Sequence, residues 1–345
     1  FDYDKYGRLE FVRRSDGTTS DVKYNSLIEN LVDKAVSKIF GITQTVENTF
    51  GAGNMLANSK ITTGSASIWS KYNYDALSRI GSTEALNSDE TAGIKHEFSY
   101  LDMGASGTTG LVSSVEFMKK DSGNWTSLNK KFGYEYDDVG NIMDIKDISS
   151  NLIVHYEYDN LNQLTRENNV NLNKTIAYSY DFGGNIQNKK IYAYTTDADL
   201  SVLTPDNTVV YGYADSNWKD KLTSYGDNEI IYDAVGNPLE YRDGMQFEWS
   251  HGRRLEKASN QSYNVTYKYD DGGIRTSKTV NGTTTDFITS GIQVLAQKTG
   301  DNVLIWQVDG NGATVGFNYS GTQYLYLKNA QGDIAGITDS SGNII

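Results

Sequence analysis

The sequence predicts an all-β fold, one long antiparallel sheet of consecutive hairpins, from three observations. The dipeptide Tyr-Asp recurs seven times, large side chains alternate with polar ones before each Tyr, and a small turn-forming residue stands four positions after it. Period-2 alternation with one large face is the pattern of a strand. A lone hairpin is marginal in water, so each unit needs neighbours to cover its apolar face.

The repeats are Tyr3-Asp4, Tyr74-Asp75, Tyr136-Asp137, Tyr158-Asp159, Tyr180-Asp181, Tyr232-Asp233 and Tyr269-Asp270. Two residues before each Tyr stand Phe1, Tyr72, Tyr134, Tyr156, Tyr178, Ile230 and Tyr267, so a strand ends at the Tyr. Four residues after it stand Gly7, Ser78, Gly140, Asn162, Gly184, Gly236 and Gly273. The Asp can accept a hydrogen bond from backbone two residues on, and Gly permits positive φ, which together make a type I turn closed by a bulge. After the turn Leu9, Ile80, Ile142, Leu164 and Ile186 restart an apolar strand.

Tyr136, Tyr158 and Tyr180 are spaced by 22 residues, room for two strands and two connections. Residues 130 to 190 are therefore expected to form successive hairpins, with Tyr134, Tyr136, Tyr156, Tyr158, Tyr178 and Tyr180 in register on one face and their rings in contact between repeats. Degenerate copies fill the longer gaps at Phe50 to Met55, Trp249 to Leu255 and Tyr326 to Ile334. Leu27 to Ile39 has apolar residues at four-residue intervals and fits an amphipathic helix. Tyr24-Asn25-Ser26-Leu27 followed by Asn30-Leu31 also fits a repeat with one inserted residue, and the hairpin is the preferred reading.

Composition narrows the function. A net charge of −13 disfavours nucleic acid and anionic membrane surfaces as partners. With no Cys there is no disulfide scaffold, zinc-thiolate site or thiol nucleophile. No apolar run approaches the ~18 residues of a membrane span. No signal peptide precedes Phe1, there is no initiator Met, and the first residues already lie in a patterned segment, so the chain reads as a fragment of a longer one.

Chemical sites are sparse. Only His96, His155 and His251 could serve a triad or a metal, and they are scattered. Carboxylates beside Trp69, Trp125, Trp218, Trp249 or Trp306 could suggest a glycosidase, but most Asp residues are committed to repeat turns. Gly104 to Gly110 lacks the Gly-Lys-Ser/Thr ending of a phosphate loop and reads as a hairpin loop. Asp309-Gly310-Asn311-Gly312 reads as a turn, because a calcium loop needs further oxygen ligands. No cofactor, metal or catalytic set is expected.

The pattern Tyr-Asp-x-x-Gly-Asn/Arg-Ile/Leu, as in Tyr136-Asp137 through Gly140-Asn141 to Ile142 and again at Gly184-Asn185 and Gly236-Asn237, resembles the YD-repeat, or RHS-repeat, proteins. Trp218 to Tyr225, Ile231 to Pro238 and Tyr267 to Asp270 followed by Gly273 to Thr276 look like bacterial members. Tyr324 to Ile345 resembles the start of the family's RHS-associated core, which divides the chain into a repeat array over 1–323 and a truncated core over 324–345. The resemblance implies a spiral β-shell, closed or partial, secreted or on the bacterial cell surface and associated with the wall. Its partner would be the rest of the same polypeptide, including a C-terminal toxin domain that the shell encloses or presents. In many toxin members the core carries a self-cleavage motif, which the resemblance implies is missing from this truncated core. In teneurins a similar shell supports adhesion, so the competing reading is a tyrosine-rich module that binds a cell-surface glycan or protein.

Overall fold

The computed structural model describes all residues except 15, 16, 27, 29, 103, 105 and 106. Among the described residues there is no α-helix, and the strands form two long open antiparallel sheets of 19 and 12 strands. The pairings join strands that follow one another in sequence, as the hairpin array requires. Thr19–Tyr24 pairs with Val32–Ile39 from Thr19 opposite Lys38 to Tyr24 opposite Val32, so the Leu27 to Ile39 region is a hairpin. Residues 27 and 29 themselves lie outside the described residues, as do 105 and 106 of the Gly104 to Gly110 loop.

The three degenerate copies are hairpins too. Ile42–Phe50 pairs with Leu56–Thr63 across a short 3-10 turn at Ala52–Asn54. Met245–Ser250 pairs with Arg254–Ser259, and Thr322–Lys328 pairs with Ile334–Asp339.

Contacts divide the chain into two compact units. The first holds Phe1–Lys131, Tyr269–Ser277 and Thr283–Ile345. Here strands from the two ends of the sequence bury one another. Ile39, Ile288, Ala296 and Ile305 form a closed apolar cluster with Phe40, Ile42, Leu295 and Val303 around it. Along Leu56–Thr63 the alternate residues Ser59, Ile61 and Thr63 are buried, as the pleat demands. Polar groups in this seam are paired across it: Gln44 Nε2 donates to the Trp306 carbonyl at 3.0 Å, and the Gly310 N–H donates to Ser59 Oγ at 2.9 Å. Such pairing removes most of the desolvation cost of burying them.

The second unit holds Phe132–Lys268 and Lys278–Gly282. Consecutive antiparallel pairing runs through Asn124–Tyr136, Ile142–Lys146, Leu152–Tyr158, Leu164–Asn169, Lys174–Tyr180 and Ile186–Ala193, the first of which enters from the other unit. Tyr134 lies opposite Ile145, which lies opposite Val154; Tyr156 lies opposite Glu167, which lies opposite Ile176. Residues directly opposite share a face, and so do residues two apart, which puts the six tyrosines on one face. They are not in one row. Val154 and Ile176 stand two positions before Tyr156 and Tyr178, so each repeat slips by two residues, about 7 Å along the strand. The expected register fails because turns at both ends of each hairpin set the pairing independently of the 22-residue period.

Candidate functional site

The structure builds one feature over and over, the repeat turn with its Tyr. At Asp137 the backbone closes twice, from the Gly140 N–H to the Asp137 carbonyl at 3.1 Å and from the Asp137 N–H to the Asn141 carbonyl at 2.9 Å. The Asp137 carboxylate binds the same loop from inside. Its Oδ1 accepts from the N–H groups of Val139 (3.0 Å) and Asn141 (2.8 Å), and its Oδ2 accepts from Asn141 Nδ2 at 2.8 Å.

Asp181 and Asp233 repeat this with Asn185 and Asn237, Asp159 does so with Gln163, and Asp4 and Asp75 use the guanidinium groups of Arg8 and Arg79. These donors act on the acid. The Asn185 side chain, then its backbone N–H, holds the Asp181 carboxyl below the usual carboxylate range. The backbone N–H of Gln163 does the same to Asp159, and that of Asn237 to Asp233.

Gly140 and Gly184 sit at φ +92° and +84°, in the left-handed region. Ser78 and Asn162 take the same conformation at +64° and +60°, which explains why small or amide residues replace Gly there. Register shifts directly before Tyr74, Tyr136, Tyr158, Tyr180 and Tyr232 mark the bulge.

The Tyr then reaches backwards. Tyr158 Oη donates to the Ile142 carbonyl at 2.9 Å and Tyr180 Oη to the Leu164 carbonyl at 2.7 Å. Tyr74 does so to Leu56 and Tyr232 to Leu222. Ile142 and Leu164 are the residues that restart the strand after the previous turn, so each bond fastens one repeat to the one before.

The degenerate copies share the bond: Tyr24 Oη donates to the Leu9 carbonyl, and Trp249 Nε1 donates to the Pro238 carbonyl at 2.7 Å. Sequence reasoning missed other members. Tyr100 and Tyr213, neither followed by Asp, donate to the carbonyls of Ile80 and Ile186. Asp147 and Asp339 build the same carboxylate turn with Asn151 and Asn343 without a preceding Tyr. The legible signal was an Asp with Asn four residues later. Tyr3 is exposed at the beginning of the described chain, and the Tyr269 turn closes through the Asp270 and Ile274 backbone.

No family model matches the chain. It is 31% identical over 196 residues to the tRNA3(Ser)-specific nuclease WapA of Bacillus spizizenii and 30% identical over 196 residues to the tRNA nuclease WapA of Bacillus subtilis. Each match covers 54% of this chain and 8% of the relative. Among solved structures a Photorhabdus luminescens Tc holotoxin pore covers 95% of the chain with a TM-score of 0.62 at 15% identity, over 19% of its own length. A TcdB2–TccC3 complex without its hypervariable C-terminal region covers 99% at a TM-score of 0.58 and 15% identity, also over 19% of its length. The chain is a YD-repeat, or RHS-repeat, array.

Within this YD-repeat array the three histidines stay apart. His96 is buried, with Nδ1 3.3 Å from Thr83 Oγ1 and Nε2 accepting the Lys328 N–H at 3.0 Å; burial pushes its pKa down to about 4. His155 Nδ1 lies 2.6 Å from Asp144 Oδ1, and His251 occupies an exposed turn at φ +46°. Among the described residues no three His, Asp or Glu side chains converge as metal ligands.

The tryptophans engage lysines and backbone. Trp69 lies under Lys60 and Lys71, Trp125 under Lys95 and Lys120, and Trp218 packs on Gly236. Asp309 is buried, its Oδ1 accepting from the Asn311 and Ala313 N–H groups, each at 3.0 Å, and its Oδ2 from Ser70 Oγ (3.0 Å) and Tyr72 Oη (2.6 Å). Burial first, and then the Asp309 charge, raises the Tyr72 pKa.

Proposed function

We propose that the chain is a non-catalytic wall segment of a secreted or cell-surface bacterial RHS protein, and that it encloses or presents a C-terminal toxin domain of the same polypeptide. The observation that carries this reading is the hydroxyl-to-carbonyl bond repeated from hairpin to hairpin. It commits Tyr74, Tyr158, Tyr180 and Tyr232, with the Asp turns, to fastening the sheet to itself. In this reading Tyr3, Tyr74, Tyr136, Tyr158, Tyr180, Tyr232 and Tyr269 and their Asp and Gly partners are structural, and residues 324–345 open an RHS-associated core.

The nuclease names of the relatives fit the same division of labour, since the chain matches only 8% of their length and its repeat aspartates are bound into turns. A glycan-binding surface has less support, because the Tyr74, Tyr158, Tyr180 and Tyr232 hydroxyls are bonded into the sheet. Exposed rings such as Tyr6, Trp218 and Tyr263 lie in separate connections between strands.

Limited proteolysis of the complete polypeptide tests the wall. The toxin domain should be protected in the native protein and cut when Tyr158→Ala and Tyr180→Ala together loosen the sheet. Equal cutting of both proteins would remove the enclosing role.

A further inference from the structure

In the first unit a cavity of about 230 Å³ opens between Ala66–Tyr74, Ile80–Asn87 and Gly93–Asp102 on one side and Thr314–Tyr319 and Thr322–Lys328 on the other. Its walls are largely apolar, with Ile80, Ala85, Phe98, Val315 and Tyr326 among them. Lys328 lines it as well. A half-buried ammonium against an apolar wall normally carries a carboxylate partner, because an uncompensated charge is costly to desolvate. Among the described residues Lys328 Nζ forms no ion pair within 4.0 Å; desolvation lowers its pKa, and the Asp309 charge, beyond ion-pair distance, partly opposes that.

The acids nearby are spoken for. The Asp309 carboxylate accepts four hydrogen bonds, two on each oxygen, which fills its lone-pair directions. Glu84 also lines the cavity, but it lies opposite Lys71 and Lys95 in the sheet register, and its Oε1 accepts from Asn73 Nδ2 at 3.4 Å. The His96 ring offers no anion, and its Nε2 is taken by the backbone N–H of Lys328 itself. The cavity therefore combines an apolar space with a lysine that forms no ion pair within 4.0 Å among the described residues.

We infer that this cavity binds a small apolar carboxylic acid, with the carboxylate on Lys328 Nζ and the apolar body against Ile80, Phe98 and Tyr326. Its volume falls just below the usual range of small-molecule sites, so the ligand is of about ten heavy atoms, an arylacetate or a short fatty acid. Neither the wall role nor the repeat turns require such a site, although Ile80, Tyr326 and Lys328 belong to repeat hairpins.

Isothermal titration calorimetry of the purified chain with phenylacetate, hexanoate and the neutral analogue phenylacetamide tests it. The acids should bind saturably, and the amide about tenfold or more weakly, the difference expected for a charge-assisted hydrogen bond. Lys328→Met should reduce acid binding to the level of the amide, while Lys95→Met, which alters a lysine outside the cavity, should leave it unchanged. Absence of saturable binding of either acid at millimolar concentration would overturn the proposal, and so would equal binding of acid and amide by the unaltered chain, a comparison that does not depend on the variants folding.

Discussion

The Tyr158 hydroxyl donates to the Ile142 carbonyl at 2.9 Å, so the last side chain of one repeat closes on the first residue of the strand that the preceding turn released. The two-residue slip between successive repeats is part of that geometry. A tyrosine in the same row as its predecessor would meet another ring; the staggered one reaches a carbonyl beside the previous bulge.

Removing only that hydroxyl isolates its contribution. Tyr158→Phe is expected to lower stability by about 1 kcal/mol, the net value of one hydrogen bond, and Tyr158→Ala by more, because packing goes too. Glu157→Ala, on the opposite and more exposed face, should cost less than either alanine or phenylalanine at 158. Urea unfolding midpoints for the three variants check the order; an unchanged midpoint for Tyr158→Phe would show that the bond contributes nothing.

Gly140 tests backbone strain without steric clash. A Cβ there would meet nothing within 4 Å, yet φ is +92°. Gly140→Val should therefore destabilise by about 1–2 kcal/mol through conformation alone, with Gly140→Asn intermediate, since Asn162 holds the equivalent position at +60°. Chemical denaturation of the pair decides it, and equal loss for Val and Asn would point away from φ.

Acid should unfold the chain in two stages. His96 is neutral in the fold with a pKa of about 4, against about 6.5 for an unfolded histidine. The unfolded state takes up the proton first, so stability falls as pH drops through that interval. The turn carboxylates Asp159, Asp181 and Asp233 have lowered folded pKa values, so their contribution is intact above the unfolded value of about 4 and is lost as pH falls below it. His96→Asn should flatten the first stage and Asp181→Asn should reduce the second, both read from unfolding free energy against pH.

The isolated chain should hydrolyse nothing, tRNA included, although its relatives are named as tRNA nucleases. Incubation of purified protein with tRNA, glycosides and peptides checks this. Turnover abolished by a single substitution would contradict the wall reading.

The turns were legible in the sequence because their chemistry is local. Asp137 binds groups two and four residues away, and Gly140 takes its φ from the same loop, so the pattern Asp-x-x-Gly-Asn carries its own explanation. Alternation before each Tyr placed six tyrosines on one face for the same reason, since the pleat has a period of two whatever the strand pairs with. The copies at Tyr100 and Tyr213 were not seen, because what repeats there is a donor at the end of a strand and not the Tyr-Asp dipeptide.

Register and layer packing belonged to the tertiary structure. The slip between repeats comes from the turns at both ends of each hairpin, and the carbonyl that a Tyr hydroxyl meets follows from that slip. Asp309 and Tyr72 are 237 residues apart, and His96 and the Lys328 N–H are 232 apart. Each residue alone reads as a turn acid, a strand aromatic, a strand histidine or a surface lysine. Their pairing, and the cavity that Lys328 lines, exist only once many weak contacts across the seam of the first unit outweigh the chain entropy of bringing distant segments together.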